Sequence, residues 1–184
     1  MVRIKFLVIL MIFISCSSTN KINIDTNQFN TSKTLSKEEI IIRNNLKLNE
    51  FQNILYVKPT LFSGVTLSND EYFINMFKEI NYFKNVYSKE QFQNFLENEN
   101  IHIEVIDNIS LNNIARKNIN FLYCEIKIDK YGLDKYNLTI KIINPSNLET
   151  IYEVEKKYHN WLLTEKPLVN PIFNDIIKWI KENK

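Results

Sequence analysis

A run of alternating apolar and polar residues in the C-terminal half constrains the fold of this chain most strongly. Every second residue from 122 to 128 is apolar, and the same alternation returns from 136 to 142. A turn that contains Gly132 separates these segments, and a second turn at residues 144–147 leads into a third apolar-rich segment at 151–158. Alternation with a period of two predicts half-buried strands, and turns this short join antiparallel neighbours. The sequence therefore predicts a three-stranded antiparallel meander.

Further strand signals and helix signals alternate along the rest of the chain. Strands are expected at residues 53–58, 85–87 and 101–105, and a loop is expected at 61–66. Apolar spacings of three and four, together with capping residues, predict helices that begin at Ser36, Asn69 or Asp70, Ser88, Ser110 and Asn170. The first helix should end near Lys47. We therefore expect one α/β (α+β) domain at residues 36–184, a mixed sheet with a C-terminal three-stranded antiparallel meander and helices packed on the sheet.

The first sixteen residues have the pattern of a bacterial lipoprotein signal. Arg3 and Lys5 precede nine apolar residues, and a small residue, Ser15, stands immediately before Cys16. A basic start, an apolar segment and a small residue are typical of a secretory signal peptide, and a cysteine at the cleavage point is typical of a lipoprotein. We expect residues 1–15 to be removed between Ser15 and Cys16, and the Cys16 thiol to carry acyl chains such as palmitate.

Two other interpretations of this segment were weighed. A transmembrane helix needs about 20 apolar residues, more than this run supplies. A plain export signal ends in an A-x-A-like triplet, which residues 13–15 do not form. The segment departs from the lipoprotein pattern at one position, because Phe13 stands where lipoprotein signals prefer Leu. Ser17 after the cysteine favours the outer membrane, facing the periplasm, if the cell is Gram-negative. The polar residues 16–35 are expected to be a flexible tether.

Charge and cysteine content exclude several roles. The chain has 23 basic and 21 acidic residues, and removal of residues 1–15 takes away Arg3 and Lys5, which leaves 21 of each. Nucleic-acid binding relies on an excess of Lys and Arg, so no nucleic-acid partner is expected. Cys124 is the only cysteine besides Cys16, and an acylated Cys16 cannot form an intrachain disulfide.

No residues have the spacing of a catalytic or metal site. His102 and His159 are the only histidines and stand alone in the sequence, whereas a metal site needs several converging ligands. Cys124 could act as a nucleophile beside a histidine, but its position on the apolar face of a strand favours a buried thiol. Two glycines are too few for a phosphate-binding loop. We expect no catalytic residues, no cofactor and no metal.

Four stretches resemble the amino-terminal domain of TolB and the related domain of CsgG-like lipoproteins. They are residues 53–64 (NILYVKPTLFSG), 81–86 (NYFKNV), 114–122 (IARKNINFL) and 144–152 (NPSNLETIY). The resemblance covers roughly residues 51–180 and implies the same kind of α/β domain. Proteins of these families act by protein–protein contact in the envelope, through pore assembly, activation of cell-wall synthases or Tol–Pal bridging. The long pore-forming hairpins of CsgG are missing, so this chain is not expected to form a pore alone.

One loop and the composition leave two functional hypotheses open. Trp161, Leu162 and Leu163 would form a contact patch for a partner or a membrane if the loop is exposed, and would join the core if it folds onto the sheet. The first hypothesis is a membrane-anchored, non-catalytic protein-interaction or assembly module with an envelope protein as partner. The second is a lipid- or small-ligand-binding auxiliary lipoprotein of an envelope transport system, because aromatic and isoleucine residues are abundant.

Overall fold

The computed structural model describes residues 21–31, 33–63, 65–66, 71–117, 119–159 and 169–184. In this part of the chain an eight-stranded mixed sheet, a two-stranded hairpin and four α-helices form the fold, which confirms the expected α/β class with a mixed sheet. The strands are β1 (Ile22–Asn23), β2 (Gln28–Phe29), β3 (Ile40–Arg43), β4 (Ile54–Val57), β5 (Leu61–Phe62), β6 (Val65–Thr66), β7 (Asn85–Tyr87), β8 (Leu122–Gly132), β9 (Lys135–Asn144) and β10 (Glu149–His159). The helices are α1 (Glu71–Ile80), α2 (Lys89–Asn98), α3 (Asn108–Ala115) and α4 (Asn170–Glu182). None of the helices that the structure describes has the length and apolarity needed to cross a membrane.

The sheet combines the predicted meander with a parallel part. Its main strand order is β3-β10-β9-β8-β4-β7. Strand β9 is antiparallel to both of its neighbours, β8 and β10, and β4 is parallel to both β7 and β8. All four residues of β4 are buried, which confirms the central strand expected from its unbroken apolarity. The short strand β5 continues along β8 beyond the end of β4.

Helices cover the two sheet faces unequally. On one face α1 and α4 pack onto an extended core that includes Phe77, Cys124 and Phe173. On the other face α2 and α3 cover a smaller core around Tyr56 and Tyr123. Beyond that smaller core, the polar side chains of β8, β9 and β10 occupy the second face, and no described helix packs on them. Among the described residues, one end of this face is therefore covered by helices and the rest is not.

The region expected to be a helix from Ser36 to Lys47 folds differently. The carboxylate of Glu39 accepts a hydrogen bond from the Ser36 backbone N–H at 2.7 Å, as a capping box predicts, but only a 3₁₀ turn (Lys37–Glu39) follows. The chain then enters β3, which pairs with β10. The cause is the run of three isoleucines from Ile40, because β-branched residues prefer a strand and β10 offers a free edge.

Four smaller expectations are also corrected. Residues 61–66, expected to be a loop, include the paired strands β5 and β6. Residues 101–105, expected to be an edge strand, form no strand. Asp107, rather than Ser110, caps α3, and the two residues exchange hydrogen bonds of 2.7 and 2.9 Å between side chain and backbone. Asn170 lies inside α4, where its side-chain amide donates to the Asn30 carbonyl oxygen at 2.8 Å.

An N-terminal hairpin, formed by β1 and β2 (residues 22–29), packs on α4. Phe29 is 2% exposed, and its ring lies edge-on to that of Phe173 with centroids 6.1 Å apart. The Asn174 side chain accepts from the Phe29 backbone N–H at 2.7 Å and donates to the Phe29 carbonyl oxygen at 2.9 Å. The expectation of a flexible tether through residue 35 is therefore wrong for this hairpin, because one aromatic anchor and a paired amide hold it on the helix.

Replacing Asn174 with alanine is expected to release this hairpin from α4. The substitution removes two backbone hydrogen bonds, each of which contributes about 0.5–1.5 kcal/mol in net terms. Amide hydrogen exchange at residues 22–29 and trypsin cleavage after Lys33 should both accelerate by about tenfold or more. Lys181→Ala, at an exposed position of the same helix, serves as the control and should change neither rate. Unchanged exchange in Asn174→Ala would show that Phe29 alone holds the hairpin.

Candidate functional site

A row of alternating charges crosses the open face of the sheet. We call four residues the charged row: Lys58 immediately after β4, Glu125 on β8, Lys141 on β9 and Glu153 on β10. Glu125 lies directly opposite Lys141, which in turn lies opposite Glu153. The Lys58 ammonium is 2.8 Å from the Glu125 carboxylate, and the Lys141 ammonium is 3.1 Å from that of Glu153. The polar positions of the sequence alternation therefore pair with one another across the strands.

The charged row is part-buried: the side chains of Lys58 and Glu153 are 17% and 14% exposed, and those of Glu125 and Lys141 are each 36% exposed. Its members neutralise one another, and ion pairs at a protein surface contribute about 0–1 kcal/mol each. Farther along β8, Lys127 pairs with Asp129 at 2.9 Å in the same way. A partner that covered this face would have to remove water from charges that are already satisfied, so the flat part of the face offers little binding energy.

A groove of about 330 Å³ lies where the charged row meets the covered end of the face. We call it the sheet-end groove. Strand β5 and the segment that leads into α3 form its walls, and its apolar lining comes from Tyr56, Pro59, Leu61 and Ile106. Lysines at positions 58, 89, 127 and 141 supply its cationic lining, and Glu125 is the acidic residue that contacts it. The groove thus combines an apolar wall with several ammonium groups.

Contacts with its neighbours fix Lys58 in the groove. Besides the ion pair with Glu125, its ammonium donates to the Asn108 side-chain oxygen at 2.6 Å and lies 4.6 Å from the centroid of the Tyr123 ring. Burial, and secondarily the charge of Glu125, raise the pKa of the Tyr123 phenol to about 12, so the phenol is neutral at physiological pH. The Tyr123 ring is 1% exposed and is not part of the groove lining, so its contact holds the Lys58 ammonium in place and does not add groove surface.

Exposed apolar side chains come from the segments that form the groove. Leu61 in its lining is 40% exposed, and Val105 and Ile109, in the segment that contributes Ile106, are 65% and 71% exposed. Of these three residues only Leu61 lines the groove, whereas Val105 and Ile109 are near the lining residue Ile106 in the sequence. Sequence reasoning missed this rim because it assigned Val105 to an edge strand. Ile109, which stands between Asn108 and Ser110, was the available signal.

Most of the site residues expected from the sequence lie outside the described residues. This applies to Ser15 and Cys16 at the cleavage point and to the contact patch of residues 161–163. Their roles therefore stay predictions.

The structure does describe the residues considered for chemistry. Cys124 is fully buried in the core beneath α1 and α4, and burial raises the pKa of its thiol, with a further contribution from Glu125. His159 is exposed at the far end of β10. Cys124 lies opposite Ile142 of β9, and His159 lies opposite Lys135 of the same strand. These two positions on β9 are seven residues apart, or about 23 Å at the rise of a strand. His102 is exposed between α2 and α3. Within the described residues the cysteine and the histidines thus lie apart, and no three metal-ligating side chains converge.

Comparisons with known proteins give distant structural likenesses. No protein-family model and no curated protein matches the chain. The C-terminal domain of LpoB from Salmonella enterica is 12% identical with a TM-score of 0.41, covering 59% of this chain and 84% of that one. A PelC dodecamer from Paraburkholderia phytofirmans is 12% identical with a TM-score of 0.43, and the match covers 77% of this chain and 95% of that one. Lipoprotein GNA1162 from Neisseria meningitidis is 11% identical with a TM-score of 0.37, and the match covers 70% of this chain and 96% of that one. The chain is thus similar to these proteins at a level that assigns no function to it.

Proposed function

We propose that this chain is a membrane-anchored lipoprotein of the bacterial envelope that acts as a non-catalytic protein-interaction module. The sheet-end groove is the observation that carries this proposal. It joins an apolar wall, an exposed apolar rim and fixed lysines on an otherwise self-neutralised face, and partner sites combine apolar area with positioned polar groups in this way. The lipoprotein signal that ends at Cys16 supports the location, and the resemblance to TolB-like and CsgG-like domains supports action by contact.

The placement of reactive groups also favours binding over catalysis. The groove residues that the structure describes include neither cysteine nor histidine. A catalytic Cys–His pair would need hydrogen-bond distance between the two side chains, whereas Cys124 is buried under helices and His159 is at the far end of the sheet. We therefore assign the groove to recognition.

Site-specific photo-cross-linking in intact cells tests this function. Benzoylphenylalanine is placed at Leu61, which is 40% exposed in the groove, and at Leu148, which is 45% exposed in the turn after β9 and serves as the matched control. We expect one dominant envelope-protein adduct at Leu61, no such adduct at Leu148, and a weaker adduct when Cys16→Ser removes the anchor. Absence of an adduct at Leu61, Val105 and Ile109 alike would refute the interaction role.

A second function, binding of a lipid or small ligand, is favoured by the groove volume. About 330 Å³ lies at the lower end of the range for small-molecule sites, about 300–1,000 Å³. Mass spectrometry of an organic extract of the native protein distinguishes the two functions. A stoichiometric ligand that is lost on Leu61→Trp, which fills the groove, would support ligand binding in place of the interaction role.

A further inference from the structure

We propose that the sheet-end groove binds a partner segment in which carboxylates flank an apolar side chain. This inference rests on the proposed function and specifies the chemistry of the partner. It follows from the distribution of charge in the groove, from the apolar wall beside that charge and from the acidic residues on the adjacent open face.

The residues that line the groove carry more positive than negative charge. Four lysines face one carboxylate, that of Glu125, which is already paired with Lys58. Lys127 and Lys141 pair with Asp129 and Glu153, acids that do not line the groove. Lys89 makes no ion pair with any described residue. A carboxylate that enters the groove would therefore meet one ammonium without an ion pair to a described residue, that of Lys89, beside three that are already paired.

The position of Lys89 adds to this field. It is the first residue of α2, where the backbone N–H groups carry a partial positive charge, although the Ser88 hydroxyl accepts from the Gln91 N–H and Glu90 lies in the same turn. A cation at this end of a helix is unfavourable for folding, and acidic residues are the ordinary choice there. Lys89 and the helix end both favour an anion at the same wall of the groove.

The apolar wall determines what must accompany the carboxylates. Pro59, Leu61 and Ile106 line the groove beside the lysines, and Leu61 is already part-exposed. An aliphatic or aromatic side chain of the partner would bury this surface and displace water from it. The apolar contact supplies affinity, and the lysines select acidic neighbours.

The acids outside the groove argue for a short acidic segment and against an extended polyanion. Glu153 and Asp129 pair with Lys141 and Lys127 on the open face next to the groove, so a nucleic acid or an anionic membrane laid along the sheet would meet no excess of positive charge there. A peptide segment needs to place its carboxylates only at the lysines.

Selection from a displayed library of random heptapeptides tests the inference. The bait is the purified full-length lipidated protein in detergent. The enriched peptides should carry at least two Asp or Glu residues around one large apolar residue, and their affinity should fall steeply as salt is raised to about 0.5 M. Lys89→Glu should weaken binding by about tenfold, whereas Lys181→Glu, an exposed charge reversal on α4, should leave it within about twofold. Lys89→Glu is also expected to fold, since an acid suits the start of a helix.

The outcomes separate this inference from the proposed function. Enrichment of peptides without net negative charge, equal binding by Lys89→Glu, or no enrichment at all would overturn the acidic-segment inference. The proposed function would survive each of these results if the Leu61 cross-link to an envelope protein persists. Loss of that cross-link would remove the proposed function, whatever the peptides show.

Discussion

Trp179→Ala is expected to lower the free energy of unfolding by about 3–5 kcal/mol, because it removes the largest fully buried side chain of the described core. The Trp179 ring lies 5.1 Å from the ring of Tyr152, and its indole N–H donates to the Asn44 carbonyl oxygen at 3.1 Å. Alanine would leave a cavity between α4 and the sheet and would leave that carbonyl without its donor.

Urea unfolding followed by far-ultraviolet circular dichroism measures this effect. Lys181→Ala, two residues farther along the helix and exposed, is the matched control and should change stability by less than about 0.5 kcal/mol. A loss below about 1 kcal/mol for Trp179→Ala would contradict the packing of α4 on the sheet.

Cys16→Ser is expected to move the protein from the membrane fraction to the soluble fraction. Each buried methylene of an acyl chain contributes about 0.8 kcal/mol to membrane binding, so two chains anchor a protein firmly. A protein without acyl chains lacks this binding energy. The measurement is fractionation of cells followed by immunoblotting, together with metabolic labelling by a radioactive fatty acid.

Ser17→Ala keeps the cysteine and serves as the control, which should remain labelled and membrane-bound. Full membrane association of Cys16→Ser would show that another contact holds the protein. Unlabelled wild-type protein in the soluble fraction would instead favour plain export.

The features that could be predicted from sequence are those whose signals lie within one continuous segment of the chain. Residues 122–158 showed the meander because alternation and two tight turns lie within the segment itself. Strand β3 could not be predicted in the same way, because the capping box at Ser36 and Glu39 is a true local signal that the distant strand β10 overrides. A local rule fails where long-range pairing decides the structure.

The N-terminal hairpin and the groove were beyond sequence reasoning for a related reason. Two-residue strands carry no period, and the amide that holds Phe29 comes from Asn174, 145 residues away. The lining of the groove runs from Tyr56 to Lys141 and is brought together only by the parallel pairing of β4 and β5 with β8. Elements could be predicted, and the site that lies between them could not.

In a form lipidated at Cys16, the docked hairpin would also limit how far the domain can travel from its membrane. From Cys16 to Ile22 the chain has six residue steps, or about 20 Å when fully extended, whereas an undocked chain from Cys16 to Ser36 would allow about 70 Å. The accessible volume scales with the cube of this length, so docking shrinks it roughly fortyfold and raises the effective concentration of the domain near its membrane by a similar factor. A lipid-anchored form would then meet partners embedded in its own bilayer far more often than partners across the periplasm.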